Sequence, residues 1–443
     1  MLSKFSKLNH TIRGVDEMNI NKHWLFGIVF LAFFMVGCSS DSSGEDAVDL
    51  NWASPAGYTP QSPVASDAEY ISEKVSEFEE ENPDVNLNVD VMANNVNEAM
   101  ARLMEQAESG RAPDLAAIDG YILPNFYDHL QPLDDLMEEY GIDPDDYLPF
   151  AKDVVTGPDG KIYGLYMNTD TRVLFYDTDV IPEPPSTWDE VIEVSTKIQE
   201  EGYNGLMLPG GRGEGTSVTT LWPLFWAQGG ELTDDDGNPT FGEGENREKM
   251  LNVLTTIQEA AEAGAIPQRV SSYGAEGDLD QEVATGKTAM FLGGNWQETV
   301  IPDLIGEEEF ESWAVAPLPQ IEEGTDATSA GGWTWGIFTE DEEKQRAAFD
   351  LMARLYMSDQ GMGEFNNVFG GLPSRESVFD SEYYKGTKFS DEYREMLEEA
   401  QTRPPSPEYS KISTEMQIAI SEVISGGKTP EQALDDAWNS VNN

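Results

Sequence analysis

Strand-like and helix-like hydrophobic patterns alternate near the start of the chain, and this order restricts the possible folds more than any other feature. Apolar residues alternate with polar ones at 48–52 and 85–91, recur at helical spacing at 71–78 and 100–107, and form a short apolar run at 115–118. The order is therefore β-α-β-α-β. It predicts the α/β class, with a parallel sheet and helices on both of its faces.

Residues at one edge of that predicted sheet are candidates for ligand contact. In α/β sheets of this kind, ligands bind beyond the carboxyl ends of the strands. Asp119 follows the 115–118 strand directly, and Tyr58 and Tyr121 lie in loops at the same edge. Topology alone therefore makes Asp119 a candidate binding residue, with the two tyrosines as further candidates.

The rest of the chain predicts a second α/β region and a mostly helical end. Thr187 and Glu190 have the spacing of a helix-capping box, which predicts a helix through about residue 201. Thr429 followed by proline predicts the start of a last helix that ends near residue 440. Other strands are predicted at 206–208, 287–292 and 313–316, and other helices at 217–228, 250–261, 295–305, 340–357, 391–400 and 411–425.

The first 38 residues have the features of an export signal. A 13-residue apolar run at 24–36 follows basic residues and is shorter than the roughly 20 apolar residues that span a bilayer. The sequence Met-Val-Gly-Cys at 35–38 resembles a bacterial lipobox, which implies cleavage before Cys38 and lipidation of its sulfur. We expect a signal peptide at 1–38, a flexible tether at 39–47 and a lipid-anchored protein outside the cytoplasm. An ordinary buried cysteine behind a short anchor is the alternative.

Acidic residues outnumber basic ones along the whole chain. There are 83 Asp and Glu and 26 Lys and Arg, which gives a formal net charge of −57. Nucleic acid is an improbable partner, because phosphate binding draws on clustered Lys and Arg. The even spread indicates a self-repelling acidic surface, which we interpret as adaptation to high salt, and we expect a monomer. An ordinary acidic secreted protein is the alternative.

The sequence offers little support for catalysis. It contains three histidines and one cysteine, and only His129 of these four residues lies after residue 38. Ser-His and Cys-His nucleophiles and multi-histidine metal sites are therefore not expected, and we predict neither a metal nor a cofactor. The glycine-rich stretch 210–215 lacks the Lys-Ser/Thr of a phosphate-binding loop. Two carboxylates that act together on a glycoside remain possible in so acidic a chain.

Several tryptophans lie beside glycines, namely Trp226, Trp296, Trp333 and Trp335. Glycine has no side chain to fill space, so a ring beside it can be presented flat to a molecule that approaches closely. Sugars have apolar C–H faces that pack on aromatic rings and hydroxyls that bind carboxylates, amides and Arg. These rings are therefore candidates for sugar contact, and core packing is the alternative for each one.

Short motifs follow one another in a characteristic order along the chain. They are Ala-Pro-Asp-Leu at 112–115, Gly-Lys-Ile-Tyr-Gly-Leu at 160–165, Pro-Ser-Thr-Trp-Asp-Glu at 185–190, Gly-Lys-Thr-Ala-Met at 286–290, Gly-Leu-Pro-Ser-Arg at 371–375 and Gly-Gly-Lys-Thr-Pro-Glu-Gln-Ala-Leu at 426–434. From about residue 48 to its end, the chain resembles the extracellular solute-binding proteins of family 1. These are sugar receptors of ABC importers, related to maltose-binding protein.

The resemblance implies a two-lobe, type II periplasmic-binding-protein-like fold, with the ligand cleft between lobes that are joined by hinge strands. The implied lobes are 48–166 plus 316–369 and 167–315 plus 370–443, with crossovers near 166–169, 316–319 and 370–373. Glycines and strand ends at these crossovers could absorb a closing motion.

The resemblance also implies which residues contact the ligand. They are the carboxylates Asp119 and Asp170, the rings of Trp296 and Trp333, the backbone of Gly332, Arg375 after the third crossover, and Ser217 and Thr219 before Trp222. At the last two positions maltose-binding protein has bulkier polar and aromatic groups, so the implied sugar can differ.

The implied function is that of a non-catalytic, lipid-anchored receptor in the cell envelope, periplasmic or on the outer face of the cytoplasmic membrane. It would bind a mono- or oligosaccharide between its lobes and deliver it to the permease of an ABC importer. Two other functions stay open. They are a secreted carbohydrate-active enzyme that uses paired carboxylates, and a surface adhesin that binds insoluble polysaccharide.

Salt dependence of stability tests the interpretation of the acidic surface. Repulsion among unbalanced carboxylates is screened as ionic strength rises, so we expect the thermal unfolding midpoint to increase from dilute buffer to molar salt. Circular dichroism melts over a series of sodium chloride concentrations measure this increase. An unchanged midpoint across the series would show that the charge is not an adaptation to salt.

Overall fold

Hydrophobic strands divide the chain between two β-sheets, and amphipathic helices cover both. The computed structural model describes residues 47–93, 96–234, 236–322 and 324–442. The predicted signal peptide, the lipidation site Cys38 and the predicted tether up to residue 46 lie outside the described residues. Within the described part of the chain, no helix has the length and apolar character needed to cross a membrane.

The strands are β1 Val48–Ser54, β2 Val85–Val91, β3 Leu115–Asp119, β4 Leu165–Tyr166, β5 Asp170–Asp177, β6 Met290–Gly294, β7 Trp313–Ala316, β8 Thr328–Gly331, β9 Trp333–Ile337 and β10 Ala400–Gln401.

The α-helices are α1 Ala65–Glu81, α2 Val96–Glu108, α3 Asp134–Tyr140, α4 Pro149–Val155, α5 Trp188–Glu200, α6 Trp222–Trp226, α7 Gly244–Glu262, α8 Asp280–Val283, α9 Gln297–Ile305, α10 Glu307–Phe310, α11 Glu342–Met352, α12 Asp359–Phe369, α13 Glu376–Phe379, α14 Ser390–Leu397, α15 Tyr409–Ile424 and α16 Pro430–Val441.

The first sheet has the strand order β2-β1-β3-β9-β4, and we call the part of the protein built on it the first lobe. β1 pairs in parallel with β2 and with β3, and α1 and α2 connect these strands, which confirms the predicted β-α-β-α-β unit. The sheet as a whole is mixed rather than parallel as predicted, because β3 and β4 both pair antiparallel with β9. β9 comes from much later in the chain and runs antiparallel to β3, with Asp119 opposite Trp333. The end of β3 and the start of β9 therefore meet at one edge of the sheet.

The second sheet has the order β10-β8-β5-β6, with β7 also paired to β5, and it forms the second lobe. β5 runs antiparallel to β6, so that Arg172 lies opposite Gly294. At its start, β5 pairs with the end of β8, where Asp170 lies opposite Gly331. The start of β5 and the ends of β6 and β8 are therefore close together.

The chain passes between the two sheets at three places. Residues 167–169 connect β4 to β5, and Gly332 alone connects β8 to β9. A third passage follows α12, where the backbone N–H of Thr169 donates to the carbonyl oxygen of Leu372 at 2.8 Å. The second passage differs from the expected crossover at 316–319, because β8 still pairs with β5 in the second sheet. The lobe boundaries otherwise stay a prediction.

The sequence pattern does not predict β4, β5, β8, β9 or β10, and two predicted elements of the second lobe differ in form. The segment 206–208 forms only an isolated bridge, between Met207 and Phe291, rather than a strand. The helix predicted at 217–228 is divided into a π-helical segment, Thr216–Leu221, and the short α6. Pro223 lies at the start of α6, and proline cannot donate the backbone hydrogen bond that a continuous helix needs.

Aromatic rings fill the core of the first lobe. Trp52 on β1 and Trp335 on β9 are both fully buried, and their ring centroids lie 5.2 Å apart. Trp335 is therefore a core residue and presents no ring to a ligand.

Trp226, at the end of α6, is also buried. Core packing, the alternative considered for all four glycine-flanked tryptophans, is correct for these two.

Gly332 holds a backbone conformation that other residues rarely adopt. Its φ angle is +129°, and a Cβ atom at this position would lie 2.2 Å from the carbonyl oxygen of Asn168. We expect Gly332→Ala to lower the free energy of unfolding by about 2 kcal/mol or more, because it adds backbone strain and a clash with rigid backbone. Urea denaturation at constant high salt measures the difference.

Gly57→Ala is the matched control, since a Cβ atom there meets nothing within 4 Å and the φ angle is not positive. Equal stability of the two variants would contradict the assignment of Gly332 as a constrained crossover.

Candidate ligand-binding site

A cavity of about 1250 Å³ opens where the ends of the two sheets meet. Its lining comes from both lobes. The lining includes Tyr58, Asp119, Tyr121, Trp333 and Phe369 from the first lobe, and Asp170, Arg172, Glu214, Trp296 and Arg403 from the second. Seven of the ten sequence-predicted binding residues line it: Tyr58, Asp119, Tyr121, Asp170, Trp296, Gly332 and Trp333.

Asp119 is joined to the second lobe by an arginine. It is the last residue of β3, is only 7% exposed, and accepts a hydrogen bond from Nη2 of Arg403 to its Oδ1 at 2.8 Å. The Arg403 guanidinium also lies over the ring of Tyr121, 4.0 Å from its centroid. Burial raises the pKa of the Asp119 carboxyl, and the charge of Arg403 opposes this rise.

Glu214 is held on the other side of Arg403. Its Oε1 lies 3.6 Å from Nη1 of Arg403 and accepts a short hydrogen bond from the Tyr409 hydroxyl. Its Oε2 accepts a hydrogen bond from Ser413 Oγ at 2.7 Å. Arg403 therefore lies between a carboxylate of the first lobe and a carboxylate of the second.

A second arginine organises the other predicted acid. Arg172 donates to Asp170, two residues earlier on β5, and its Nε donates to Glu276 Oε1 at 3.3 Å. Alternate residues of a strand point to the same face, which places Asp170 and Arg172 side by side. The Arg172 guanidinium also lies 4.9 Å from the ring centroid of Trp296.

Glycine determines the position of the Trp296 ring. A Cβ atom at Gly294 would lie 2.1 Å from a carbon of that ring, so the indole lies directly against the backbone at the end of β6. The ring remains partly exposed to the cavity. This geometry is the one expected for a glycine that allows close approach of an aromatic surface.

A second aromatic surface lies in the first lobe. The ring of Tyr58 is 5.9 Å from that of Trp333 and 5.0 Å from that of Phe369. The side chain of Asn168 fixes the start of β9, where its Oδ1 accepts from the backbone N–H of Trp333 at 3.5 Å. Tyr58 is buried, which raises the pKa of its hydroxyl, while Trp333 stays partly exposed.

Three predicted binding residues do not line the cavity. Arg375 is 2% exposed and pairs with Asp359 and, at 3.7 Å, with Asp146, so it stabilises packing around the third passage. Ser217 and Thr219 are buried behind the cavity wall. Their hydroxyls bond to side chains that contact the lining: Ser217 to Ser413 at 2.7 Å and Thr219 to Glu276 at 2.6 Å.

Sequence reasoning missed Arg172, Glu214 and Arg403. The period of two along a strand could have placed Arg172 beside Asp170. Glu214 lies in the glycine-rich stretch that was considered only as a phosphate-binding loop. Arg403 lies in an irregular segment between β10 and α15, and no pattern in the sequence indicates its position.

Comparison with known proteins identifies relatives over most of the chain. The family model described as bacterial extracellular solute-binding protein matches residues 62–358. The maltodextrin-binding protein MdxE of Bacillus subtilis is 22% identical over 433 residues, 94% of this chain and 96% of MdxE. An arabinooligosaccharide-binding protein of the same organism is 23% identical over 440 residues, 93% of this chain and 96% of that protein.

A solved structure shares the fold. Maltose-bound MalE3 of T. maritima superimposes with a TM-score of 0.71 and 21% sequence identity, over 89% of this chain and 99% of that one. The likeness confirms the predicted two-lobe α/β architecture.

The ion pair between Arg403 and Asp119 can be tested by comparison with an exposed pair. Arg403 and Asp119 have side chains that are 14% and 10% exposed, whereas Arg346 and Glu139 are 60% and 52% exposed at a similar separation of 2.6 Å. We expect Arg403→Gln to lower the free energy of unfolding by about 3 kcal/mol, because it leaves buried carboxylates without their cation. Urea denaturation measures the change.

Arg346→Gln should change stability little, since exposed pairs are well solvated and screened. Equal losses for the two variants would show that the Arg403 pair is solvated like a surface pair.

Proposed function

The chain belongs to the bacterial extracellular solute-binding proteins, and from this premise we propose that it is the carbohydrate receptor of an ABC importer. It binds a mono- or oligosaccharide between its two lobes and delivers the sugar intact to the membrane permease. Two relatives, a maltodextrin-binding protein and an arabinooligosaccharide-binding protein, support carbohydrate as the ligand class.

The observation that carries the proposal is the pairing of aromatic and charged surfaces in one cavity. Trp296 in the second lobe and Trp333 in the first both contribute partly exposed rings to the lining. Asp119 and Asp170 contribute carboxylate oxygens, and each is held by an arginine. A sugar has apolar C–H faces for the rings and hydroxyls for the carboxylates and guanidiniums, so one molecule can satisfy both kinds of surface.

The proposed receptor holds its sugar by hydrogen bonds and ring contacts, without a covalent bond, so it can release the sugar unchanged. A ligand that contacts both lobes binds their closed arrangement better than the open one, so it shifts the population toward closure. The three passages between the sheets are the proposed hinges. The lipid on Cys38, joined through the proposed tether, keeps the receptor close to the permease outside the cytoplasm. Outside the cytoplasm, the acidic surface is exposed to the external salt that we propose it is adapted to.

A sugar panel tests the proposal. We expect at least one neutral mono- or oligosaccharide to raise the melting temperature in molar salt, because a ligand that binds only the folded state adds about 2.7 kcal/mol at a hundred times its Kd. Isothermal titration calorimetry confirms binding, and chromatography of the recovered sugar should show no turnover. If no sugar of a broad panel raises the melting temperature or gives a calorimetric signal, the receptor function is refuted.

Matched tryptophan variants test which ring binds the sugar. Trp296 and Trp438 are both partly exposed rings that pack on a glycine, Gly294 and Gly242 respectively, but only Trp296 lines the cavity. We expect Trp296→Ala to weaken sugar binding by roughly tenfold or more and Trp438→Ala to leave affinity unchanged. Equal affinity of the two variants would place the sugar elsewhere.

Acidification tests the role proposed for Asp119. An ordinary aspartate has a pKa near 3.8, and burial raises the pKa of Asp119 above that value. As the pH is lowered, Asp119 is therefore protonated earlier than an exposed aspartate. Protonation removes an ionised acceptor and its attraction to Arg403, so we expect sugar affinity to fall as the pH drops through that raised pKa. Calorimetric titrations at several pH values measure the fall, which should be absent in Asp119→Asn. If the affinity of Asp119→Asn fell in the same way as the pH is lowered, the titrating group would be another residue.

A further inference from the structure

The charged groups of the cavity are unequal in number and in pairing. Among the described lining residues, five carboxylates accompany two guanidiniums: Asp67, Asp119, Asp170, Glu214 and Asp303 with Arg172 and Arg403. The excess is negative, so it repels an anionic ligand that enters the cavity, where salt screens charges less than at the surface. Which cations remain free to bind an anion then decides whether that repulsion can be overcome.

Arg403 is already engaged by two carboxylates and an aromatic ring. One Nη atom donates to Asp119, the other lies 3.6 Å from Glu214, and the Tyr121 ring covers one side of the guanidinium. The side chain is 14% exposed. A carboxylate or phosphate of a ligand would have to compete for this guanidinium with carboxylates that are fixed at the end of β3 and in the 210–215 segment.

Arg172 is occupied in the same way. It pairs with Asp170 and with Glu276, it lies over the ring of Trp296, and its side chain is 11% exposed. Glu276 is itself buried and also accepts from Thr219, so it is firmly held. Both guanidiniums of the described lining are therefore already neutralised by the protein.

The carboxylates outside these pairs increase the discrimination. Asp67 is buried near the start of α1, where it accepts hydrogen bonds from the hydroxyls of Ser62 and Ser66, and Asp303 lies exposed on α9. Arg212 is exposed and lines an adjoining space, which shares Arg172, Glu214, Trp296 and Arg403 with this cavity. An anionic group inside the cavity would thus be desolvated next to like charge, whereas an ammonium group would find carboxylates to bind.

We propose that the two neutralised arginines make this cavity select uncharged and amino-bearing saccharides and reject uronic acids and sugar phosphates. This inference rests on the proposed function and deepens it, since it names the class of sugar that the same site accepts. The arginines serve to orient Asp119 and Asp170 for sugar hydroxyls, and they do not act as anion receptors.

Calorimetry with matched ligands tests the selection at constant molar salt. The ligands are the neutral, amino and uronic forms of trisaccharides in the glucose and galactose series, together with the neutral sugar that binds best in the panel and its uronic form. We expect every uronic form to bind at least roughly tenfold more weakly than its neutral counterpart, and the amino form to bind at least as well. A uronic form that binds as tightly as its neutral counterpart would overturn the inference and leave the receptor function standing. Failure of every sugar to bind would instead refute the receptor function itself, and this inference with it.

A pair of charge-matched variants tests the cause. Asp170→Asn frees one side of Arg172, whereas Asp303→Asn removes the same charge from the cavity and frees no arginine. We expect Asp170→Asn to raise the ratio of uronic to neutral affinity by roughly tenfold, about the value of one charge-assisted contact, and Asp303→Asn to raise it much less. Glu276→Gln frees Arg172 from its other partner and replaces Asp170→Asn if that variant does not fold. Equal ratios in the freed-arginine and control variants would contradict the role assigned to the pairs.

Discussion

The guanidinium of Arg403 connects polar groups of the two lobes. Arg403 extends from the second lobe to Asp119 at the end of β3, while Glu214 holds its other side. Charges buried in this way are stable only when each has a partner, so the three groups depend on one another. Because they depend on one another, the carboxylates of Asp119 in the first lobe and Glu214 in the second are both held at the cavity. The cavity is therefore polar at its centre although the protein around it has an apolar core.

Glycines bring the aromatic surfaces into that space. Gly294 allows the Trp296 indole to lie against backbone, and Gly332 allows the chain to leave one sheet and enter the other within a single residue. Because Trp333 directly follows Gly332, the same passage that joins the lobes also presents a ring to the cavity. The proposed hinge and the proposed binding surface are thus built from neighbouring residues, so a ligand on the rings would affect the relative position of the lobes.

The sequence predicted the parts of this arrangement that depend on local pattern or on strand ends. The alternation over 48–119 predicted β1, β2 and β3, which are three of the five strands of the first sheet, and topology placed Asp119 at its edge. The sequence could not separate the glycine-flanked tryptophans into core rings and cavity rings. Trp335 and Trp296 each come shortly after a pair of glycines, but the Trp335 ring faces the core and the Trp296 ring faces the cavity. Arg375 followed a crossover as expected, yet its guanidinium is bound by Asp359 and Asp146. Arg403 could not be predicted, since long-range pairing with Asp119 leaves no periodic signal in an irregular segment.

The central claim is that one sugar occupies the space between the lobes and contacts the charge pairs and the rings together. A crystal structure of the protein with the sugar selected by the binding panel tests this most directly. We expect hydroxyls of the sugar within hydrogen-bond distance, about 3 Å, of the carboxylates of Asp119 or Asp170, and a sugar face packed on Trp296 or Trp333. A sugar bound outside this cavity, or bound within it to one lobe alone, would contradict the claim.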